Sequence, residues 1–141
     1  MKEYLIFAAV CLLTGCTTMP PLTDGVTLSL RSYDSATGDY VLELRNETKR
    51  SILYLNPYVA FDTIRSPDPE PFLESPEGMV LMVHDTKLVA GGSAVISGKC
   101  TAEGACSRPG TYAAVWACRP AKEWSCEQHV PIWSKTPLNG V

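Results

Sequence analysis

Residues 26 to 46 have the sequence VTLSLRSYDSATGDYVLELRN, and this stretch decides the fold. Apolar side chains occupy every second position from Val26 to Leu30, which is the period of a strand with one buried face. The same alternation returns from Tyr40 to Arg45, after a polar turn at residues 34–39 that contains Gly38. Two such runs joined by a short turn predict a β-hairpin.

Further strand patterns follow along the chain. The stretch from Ser51 to Asp62 is rich in Ile, Leu, Tyr and Val, but Pro57 interrupts it and predicts a bend or an edge position there. Apolar runs typical of strands return at Met79 to Val83, Leu88 to Val89, Ala94 to Ile96, Tyr112 to Cys118 and Cys126 to Ile132. About seven or eight short strands separated by turn signals, without a helical period, predict an all-β antiparallel sandwich.

Two stretches support this fold class by resemblance. Residues 87–97 (KLVAGGSAVIS) and 108–118 (RPGTYAAVWAC) resemble strand patterns of the immunoglobulin-like domains found in bacterial exported proteins. In that family a Pro-Gly-x-Tyr turn opens a late strand, which implies that Tyr112 is a corner tyrosine whose hydroxyl ties the turn to the strand. The inter-sheet cysteine pair of antibody domains is missing. The resemblance implies an immunoglobulin-like β-sandwich over residues 26–134 and carries no information about activity.

The N-terminal residues predict export. After Lys2, a mostly apolar run of about ten residues extends from Tyr4 to Leu13, within the range of a signal-peptide core and shorter than the roughly 20 residues of a membrane-spanning helix. The next residues complete the sequence LTGC at 13–16, which resembles the lipobox of bacterial lipoproteins. The alternative is an ordinary secretory signal with a coincidental cysteine.

The lipobox resemblance implies the domain organisation and the location. Residues 1–15 would be the signal peptide, Cys16 would carry three acyl chains that hold the protein stably on a membrane, and residues 16–25 would be a tether. Thr17 follows the cysteine, and in enterobacteria-like sorting this pattern implies the outer membrane of the bacterial cell envelope. Residues 135–141 are predicted to form a C-terminal tail.

Charge and cysteine content limit the possible ligands and predict the disulfides. The net charge of −3, without a basic stripe, disfavours nucleic-acid binding. Once Cys11 leaves with the signal and Cys16 is lipidated, an even number of cysteines remains, which predicts two disulfides in an exported chain. Of three possible pairings, two local bridges fit best, with these partners: Cys118 and Cys126 across the first rung of the last hairpin, and Cys100 and Cys106 around the loop at 101–105. A metal site or a redox pair is the alternative, although the spacings match neither a CxxC motif nor common zinc patterns.

No catalytic signature is present in the sequence, which lacks GxSxG, HExxH and P-loop motifs. His84 and Asp85 could belong to a triad with one of many serines, but we expect no catalytic residues and no cofactor. A copper site could use His84 and His129 with the thioethers of Met79 and Met82. The two methionines are three residues apart in a predicted strand and point to opposite faces, so packing is favoured over metal binding.

Three aromatic residues are candidates for binding a partner. Trp124 lies inside the Cys118–Cys126 loop, Phe72 lies in a proline-rich acidic loop at residues 66–77, and Trp133 ends the last strand. Rigid aromatic side chains on constrained loops bind partners at low entropic cost. Trp124 could equally fold back over the sandwich. Trp116 has the parity of Cys118, and we expect it in the core beside the bridge.

These observations favour a lipid-anchored, non-enzymatic lipoprotein that binds a protein or has a structural role in the cell envelope. Its partners would be the membrane, through Cys16, and another envelope or secreted protein. One alternative is an inhibitor that inserts the loop at residues 119–125 into a secreted protease or lysozyme. A second alternative, copper binding, requires His84 and His129 to converge. A broad apolar patch on one sheet face would favour assembly over inhibition.

Overall fold

The computed structural model describes residues 21–56, 58–70, 84–100, 106–120, 126 and 128–139. These residues form a short 3-10 helix at Leu22–Asp24 and eight strands. The strands are β1 (Val26–Tyr33), β2 (Asp39–Asn46), β3 (Ile52–Asn56), β4 (Ala60–Asp62), β5 (His84–Leu88), β6 (Ser93–Lys99), β7 (Tyr112–Cys118) and β8 (Val130–Trp133). In the described part of the chain, no helical segment has the length and apolar character that a transmembrane span requires.

The strands form two antiparallel sheets. A three-stranded sheet has the order β1-β2-β6, and its β1–β2 pair is the predicted hairpin. In the second, five-stranded sheet, β7 is central. Ala114 of β7 pairs with Ala60 of β4 and with Trp133 of β8, so β4 and β8 lie on opposite edges of β7. The sheet therefore runs from β5 through β3 and β4 to β7 and β8. The predicted all-β antiparallel sandwich is confirmed.

The core lies between the two sheets and is built from alternate residues of the predicted strands. Every second residue of β2 from Tyr40 to Leu44 is buried, and β1 contributes Val26 and Leu28 in the same way. Fully burying one such aliphatic side chain contributes roughly 1.5–3 kcal/mol. Across the interface, the rings of Tyr40 and Phe61 meet edge to face at 5.3 Å. The two sheets therefore share one hydrophobic core.

Strand β7 faces the core with the side opposite to the one that carries Trp116. Its core residues are Ala113, Val115 and Ala117, so Trp116 and Cys118 lie on the outer face of the five-stranded sheet. The prediction that Trp116 packs in the core is wrong. Both parities of this central strand are apolar because both of its faces are covered, so alternation alone does not identify the face toward the core.

The predicted tether and tail both contribute to the domain. Leu22 is buried against the core, so the packed domain includes residues N-terminal to Val26. At the other end, Leu138 is buried in the core and its backbone N–H donates to the carbonyl of Thr111 at 2.7 Å. Residues 135–139 are therefore part of the sandwich and not a free tail. Leu22 and Leu138 are isolated apolar residues in polar segments, so no periodic pattern indicates that they are buried. Their burial depends on tertiary packing.

Two local predictions also need correction. At the RPGTY turn, fully buried Thr111 donates its hydroxyl to the carbonyl of Arg108 at 2.8 Å. The guanidinium of Arg65 instead lies over the ring of Tyr112, with its central carbon 5.0 Å from the ring centroid. The hydrogen bond expected from the hydroxyl of a corner tyrosine is therefore made by the hydroxyl of Thr111. Strand β5 begins at His84 and ends at Leu88, and Val89 lies exposed in the following turn. The strand predicted at residues 79–83 lies outside the described residues.

Candidate functional site

The outer face of the five-stranded sheet is unusually well covered for a surface that faces away from the core. Leu53 pairs with Cys118 across β3 and β7, and Ala60 pairs with Ala114 across β4 and β7. All four side chains are at most 2 % exposed, yet they lie outside the main core cluster. A second layer of side chains therefore packs on this face, and its members are the candidate functional residues.

The first part of this layer, the aromatic layer, consists of Tyr58, Tyr112, Trp116 and Trp133. All four side chains are half-buried. The rings of Tyr58 and Trp116 meet edge to face at 6.3 Å, and Trp116 lies opposite Pro131 of β8. Such ring pairs prefer this edge-to-face geometry and add about 0.5–1.5 kcal/mol to the area that they bury. The aromatic layer is rigid because strands hold three of its members.

The segment that follows β4 lies against the aromatic layer. The indole N–H of Trp133 donates to the carbonyl of Ser66 at 2.9 Å, and Arg65 covers the ring of Tyr112. Pro69 is buried a few residues further on. The start of the predicted proline-rich surface loop therefore packs on the sheet. Trp133, predicted to bind a partner, is held in place by this segment.

A cleft of about 500 Å³ opens where β8 approaches β1. Its apolar walls include Val26, Pro131 and Trp133, and the exposed cations Arg65 and Lys135 also line it. The ion pairs found among the described residues are Arg31–Glu43 and His129–Asp85, so neither cation of the cleft belongs to one. An aromatic wall beside two cations is suited to an acidic group attached to an apolar body.

The second part of the layer is a cluster of polar and sulfur groups that we call the 85–129 cluster: Asp85, Cys118, Cys126 and His129. The ring Nε2 of His129 lies 2.8 Å from Oδ1 of Asp85. One potential metal-ligand atom from each of the four residues lies within 4.8 Å of the others. Asp85 lies in β5 and His129 directly precedes β8, on opposite sides of β7, so only the folded sheet brings them together.

Both predicted disulfides are confirmed. Cys100 joins Cys106 with a Cα–Cα distance of 6.3 Å, and Cys118 joins Cys126 with a Cα–Cα distance of 6.0 Å. The predicted first-rung geometry of the second bridge is wrong, because β8 begins at Val130 and Cys126 lies in the preceding loop. Ala117 pairs with Val130, and continuing this register by one residue places His129 opposite Cys118.

Most of the other residues predicted to bind a lipid, a partner or copper lie outside the described part of the chain, and His84 lies apart from the 85–129 cluster. Cys16, Phe72 and Trp124 lie outside the described residues, as do Met79 and Met82 of the predicted copper site. His84 is exposed and precedes Asp85 in β5, so the two side chains point to opposite faces of the sheet. The ligand cluster around His129 contains Asp85 and not His84.

Sequence reasoning missed Tyr58, Arg65, Lys135 and the pairing of Asp85 with His129. One signal was available for the aromatic layer: β7 carries Tyr112 and Trp116 on one parity and Val115 on the other, which indicates that both faces are covered. No comparable signal marks the other residues, because their contacts depend on how separate loops fold onto the sheet.

Comparison with known protein families, with curated proteins and with solved structures finds no match to this chain.

Proposed function

We propose that this chain is a lipid-anchored lipoprotein of the bacterial cell envelope, and that its β-sandwich is a non-enzymatic module that binds another envelope or secreted protein. The observation that carries the proposal is the aromatic layer on the outer face of the five-stranded sheet, bordered by the cationic cleft. Half-buried aromatic side chains held by strands bind a partner with little loss of conformational entropy.

The proposed partner presents an acidic side chain beside an apolar one. Trp133 and Pro131 provide an apolar wall, and Arg65 and Lys135 lie at the same cleft without a partner among the ion pairs described above. An incoming carboxylate can bind both cations while its neighbour packs on the indole ring. Binding therefore depends on the two positive charges as well as on the aromatic surface.

The proposed anchor is compatible with this binding face. Between Cys16 and Pro21 the chain spans at most about 18 Å, so the domain is held close to the bilayer. Pro21 lies just before the end of the sandwich at which β1 begins and β2 ends, so the proposed anchor would hold this end nearest the membrane. The part of the aromatic layer that the segment after β4 leaves open, together with the cleft, is the surface proposed to meet a partner anchored in the same membrane.

Site-specific photo-crosslinking in the producing bacterium tests the binding face. A benzophenone amino acid replaces Thr23, which is exposed and lines the cleft, or Tyr58 of the aromatic layer. We expect both positions to yield the same discrete protein adduct. The same probe at Val95, which is 67 % exposed on the other sheet, provides the surface control and should yield none.

Charge reversal then tests the partner chemistry. Arg65→Glu should abolish the adduct formed from Thr23, whereas Arg45→Glu, a matched reversal on the other sheet, should leave it unchanged. Equal adducts from Val95, or an adduct insensitive to Arg65→Glu, would show that the cleft is not the binding site. If the adduct contains a secreted protease or lysozyme that is inactive in the complex, the proposed structural module is wrong. The alternative from the sequence, an inhibitor of a secreted hydrolase, would then replace it.

Membrane fractionation tests the anchor separately. Cys16→Ser should move the protein from the membrane to the soluble fraction, because the thiol that accepts the lipid is lost. Cys11→Ser, five residues earlier within the predicted signal peptide, should leave the protein in the membrane fraction. Retention of the Cys16→Ser protein on the membrane would contradict lipid anchoring.

A further inference from the structure

The 85–129 cluster contains the ligand types of a zinc site, with two of them joined as a disulfide. Cys118 and Cys126 provide sulfur, His129 provides a ring nitrogen and Asp85 provides a carboxylate oxygen. Thiolate, imidazole and carboxylate groups are the ligands that proteins use for Zn²⁺, usually four in a tetrahedron. Sulfur atoms bonded to each other cannot act as thiolates, so the oxidised chain has only two of the four ligands.

The geometry requires little movement once the sulfurs are free. Ligand atoms around a tetrahedral zinc lie about 3.3–3.8 Å apart, given zinc–ligand bonds of about 2.0–2.3 Å. The four candidate atoms already lie within 4.8 Å of one another. His129 and Asp85 are 23 % and 27 % exposed, so a metal ion can reach them from solvent. Leu53 forms an apolar floor beside Cys118, on the neighbouring strand.

From this geometry we propose that reduction of the Cys118–Cys126 disulfide creates a Zn²⁺ site with Cys118, Cys126, His129 and Asp85 as ligands. A dithiol of the thioredoxin class supplies the two electrons and two protons. The bond between the two sulfurs breaks, both become thiols, and the dithiol leaves as its own disulfide. Zn²⁺ then displaces the two thiol protons and binds the histidine nitrogen and the aspartate oxygen in place of their mutual hydrogen bond, and the proton held in that bond passes to the other ring nitrogen of His129 or to solvent.

The two sulfurs differ in access in the way that this step requires. Cys118 is 1 % exposed, whereas Cys126 is half-buried in the loop before β8. An incoming thiolate therefore attacks Cys126, and Cys118 is the leaving thiol that stays beside His129. Zinc then replaces the disulfide as the link between β7 and that loop, so the link persists in both redox states.

The second disulfide provides an internal comparison. Cys100 and Cys106 are 4 % and 1 % exposed, and neither belongs to a group of potential metal ligands among the described residues. Reduction of this bridge yields two buried thiols, and among the described residues no histidine or carboxylate is grouped with them as a potential metal ligand. The proposal therefore predicts zinc binding by one cysteine pair and not by the other.

Zinc titration of the mature protein in both redox states tests the proposal. The protein is reduced with a water-soluble phosphine, which becomes the phosphine oxide, and Zn²⁺ affinity is measured by competition with a chromophoric chelator. We expect one Zn²⁺ per reduced chain. Loss of a supporting side chain alone weakens metal binding by about 10- to 100-fold, so the oxidised chain, which lacks two ligands, should bind at least 100-fold more weakly.

Matched variants and a mapping measurement complete the test. His129→Gln and Asp85→Asn should each weaken Zn²⁺ binding by at least about 10-fold, whereas His84→Gln should have no effect. In the wild-type reduced protein, Zn²⁺ should slow alkylation of Cys118 and Cys126, measured by peptide mass spectrometry, and leave Cys100 and Cys106 unprotected. Equal zinc affinity in both redox states, unchanged affinity in His129→Gln, or protection of Cys100 and Cys106 alone would overturn the proposal.

Discussion

Asn46 is a fully buried polar residue at the end of β2, and its side chain joins two turns. Its amide nitrogen donates to the carbonyls of Arg50 at 2.8 Å and of Leu88 at 3.1 Å. Its amide oxygen accepts the backbone N–H of Thr48 at 3.0 Å. A buried amide with this many bonds fixes the ends of β2, β3 and β5 relative to one another.

Replacing Asn46 by alanine should lower the free energy of unfolding by about 3 kcal/mol. The substitution leaves buried carbonyl and N–H groups without their partners, and each such loss costs about 1–3 kcal/mol. Urea denaturation followed by circular dichroism measures the change. Asn56→Ala, at a half-buried asparagine on β3, is the control and should cost less than about 1 kcal/mol. Equal losses in the two variants would contradict this role of Asn46.

Tyr54 gives the protein a pH-dependent component of stability. Burial raises the pKa of this phenol above its ordinary value of 10.0, because the charged phenolate is poorly solvated in the core. The unfolded chain loses the proton near pH 10 while the folded chain retains it, so the folded state binds more protons in that range. The stability contribution is therefore complete below pH 10 and is lost as the pH rises through 10 and above.

Tyr54→Phe should remove this component. Between pH 9 and pH 11 the urea midpoint of the wild type should fall more steeply than that of the variant, because other titrating groups contribute equally to both proteins. Parallel curves for the two proteins would show that Tyr54 does not ionise differently in the folded and unfolded states.

At the scale of elements, the hairpin of β1 and β2 agrees with its sequence pattern almost residue by residue. Thr27 pairs with Arg45 and Leu28 with Leu44, so polar residues meet polar residues and apolar residues meet apolar ones. Each face of these strands has one environment, and the alternation of side chains identifies it. The last strand behaves differently, because Pro131 and Trp133 face the covered outer side and remove the alternation on which its start was predicted.

The segment after β8 supplies a test at this scale. Leu138→Ala should lower the free energy of unfolding by about 3 kcal/mol, because truncating a buried leucine leaves a cavity in the core. Chemical denaturation measures the loss. Thr136→Ala, two residues earlier and exposed, should change stability by no more than about 0.5 kcal/mol. Similar small effects in both variants would restore the prediction of a free C-terminal tail.

At the scale of the whole molecule, the two sheets are also joined along one edge. Leu28 of β1 forms a parallel bridge with Ser134, and the backbone N–H of Lys135 donates to the carbonyl of Leu28 at 3.1 Å. Ser134 is buried and donates its hydroxyl to the carbonyl of Thr136. The cleft proposed to bind a partner lies at this edge, so it exists only when both sheets are folded together.

One shared core predicts one cooperative unfolding transition. Trp116 and Trp133 lie on the five-stranded sheet, so in a Trp124→Phe background tryptophan fluorescence reports on that sheet, whereas far-ultraviolet circular dichroism reports on both. With the disulfides intact, we expect both signals to give the same urea midpoint, as for two-state domains of this size. Two separated midpoints would show that the sheets unfold independently and that the common core contributes little.

The sequence by itself determined the all-β class and the first hairpin, placed strand character at most of the observed strands, and favoured the observed pairing of the cysteines. These features depend on local alternation, on turn residues and on short separations along the chain, all of which are visible in the order of residues. Only the tertiary structure decided which face of β7 meets the core, that residues 135–139 pack, and that His129 meets Asp85 beside the Cys118–Cys126 bridge. Those contacts join residues distant in sequence, and they form because the two sheets bury their apolar faces together, which no local pattern encodes.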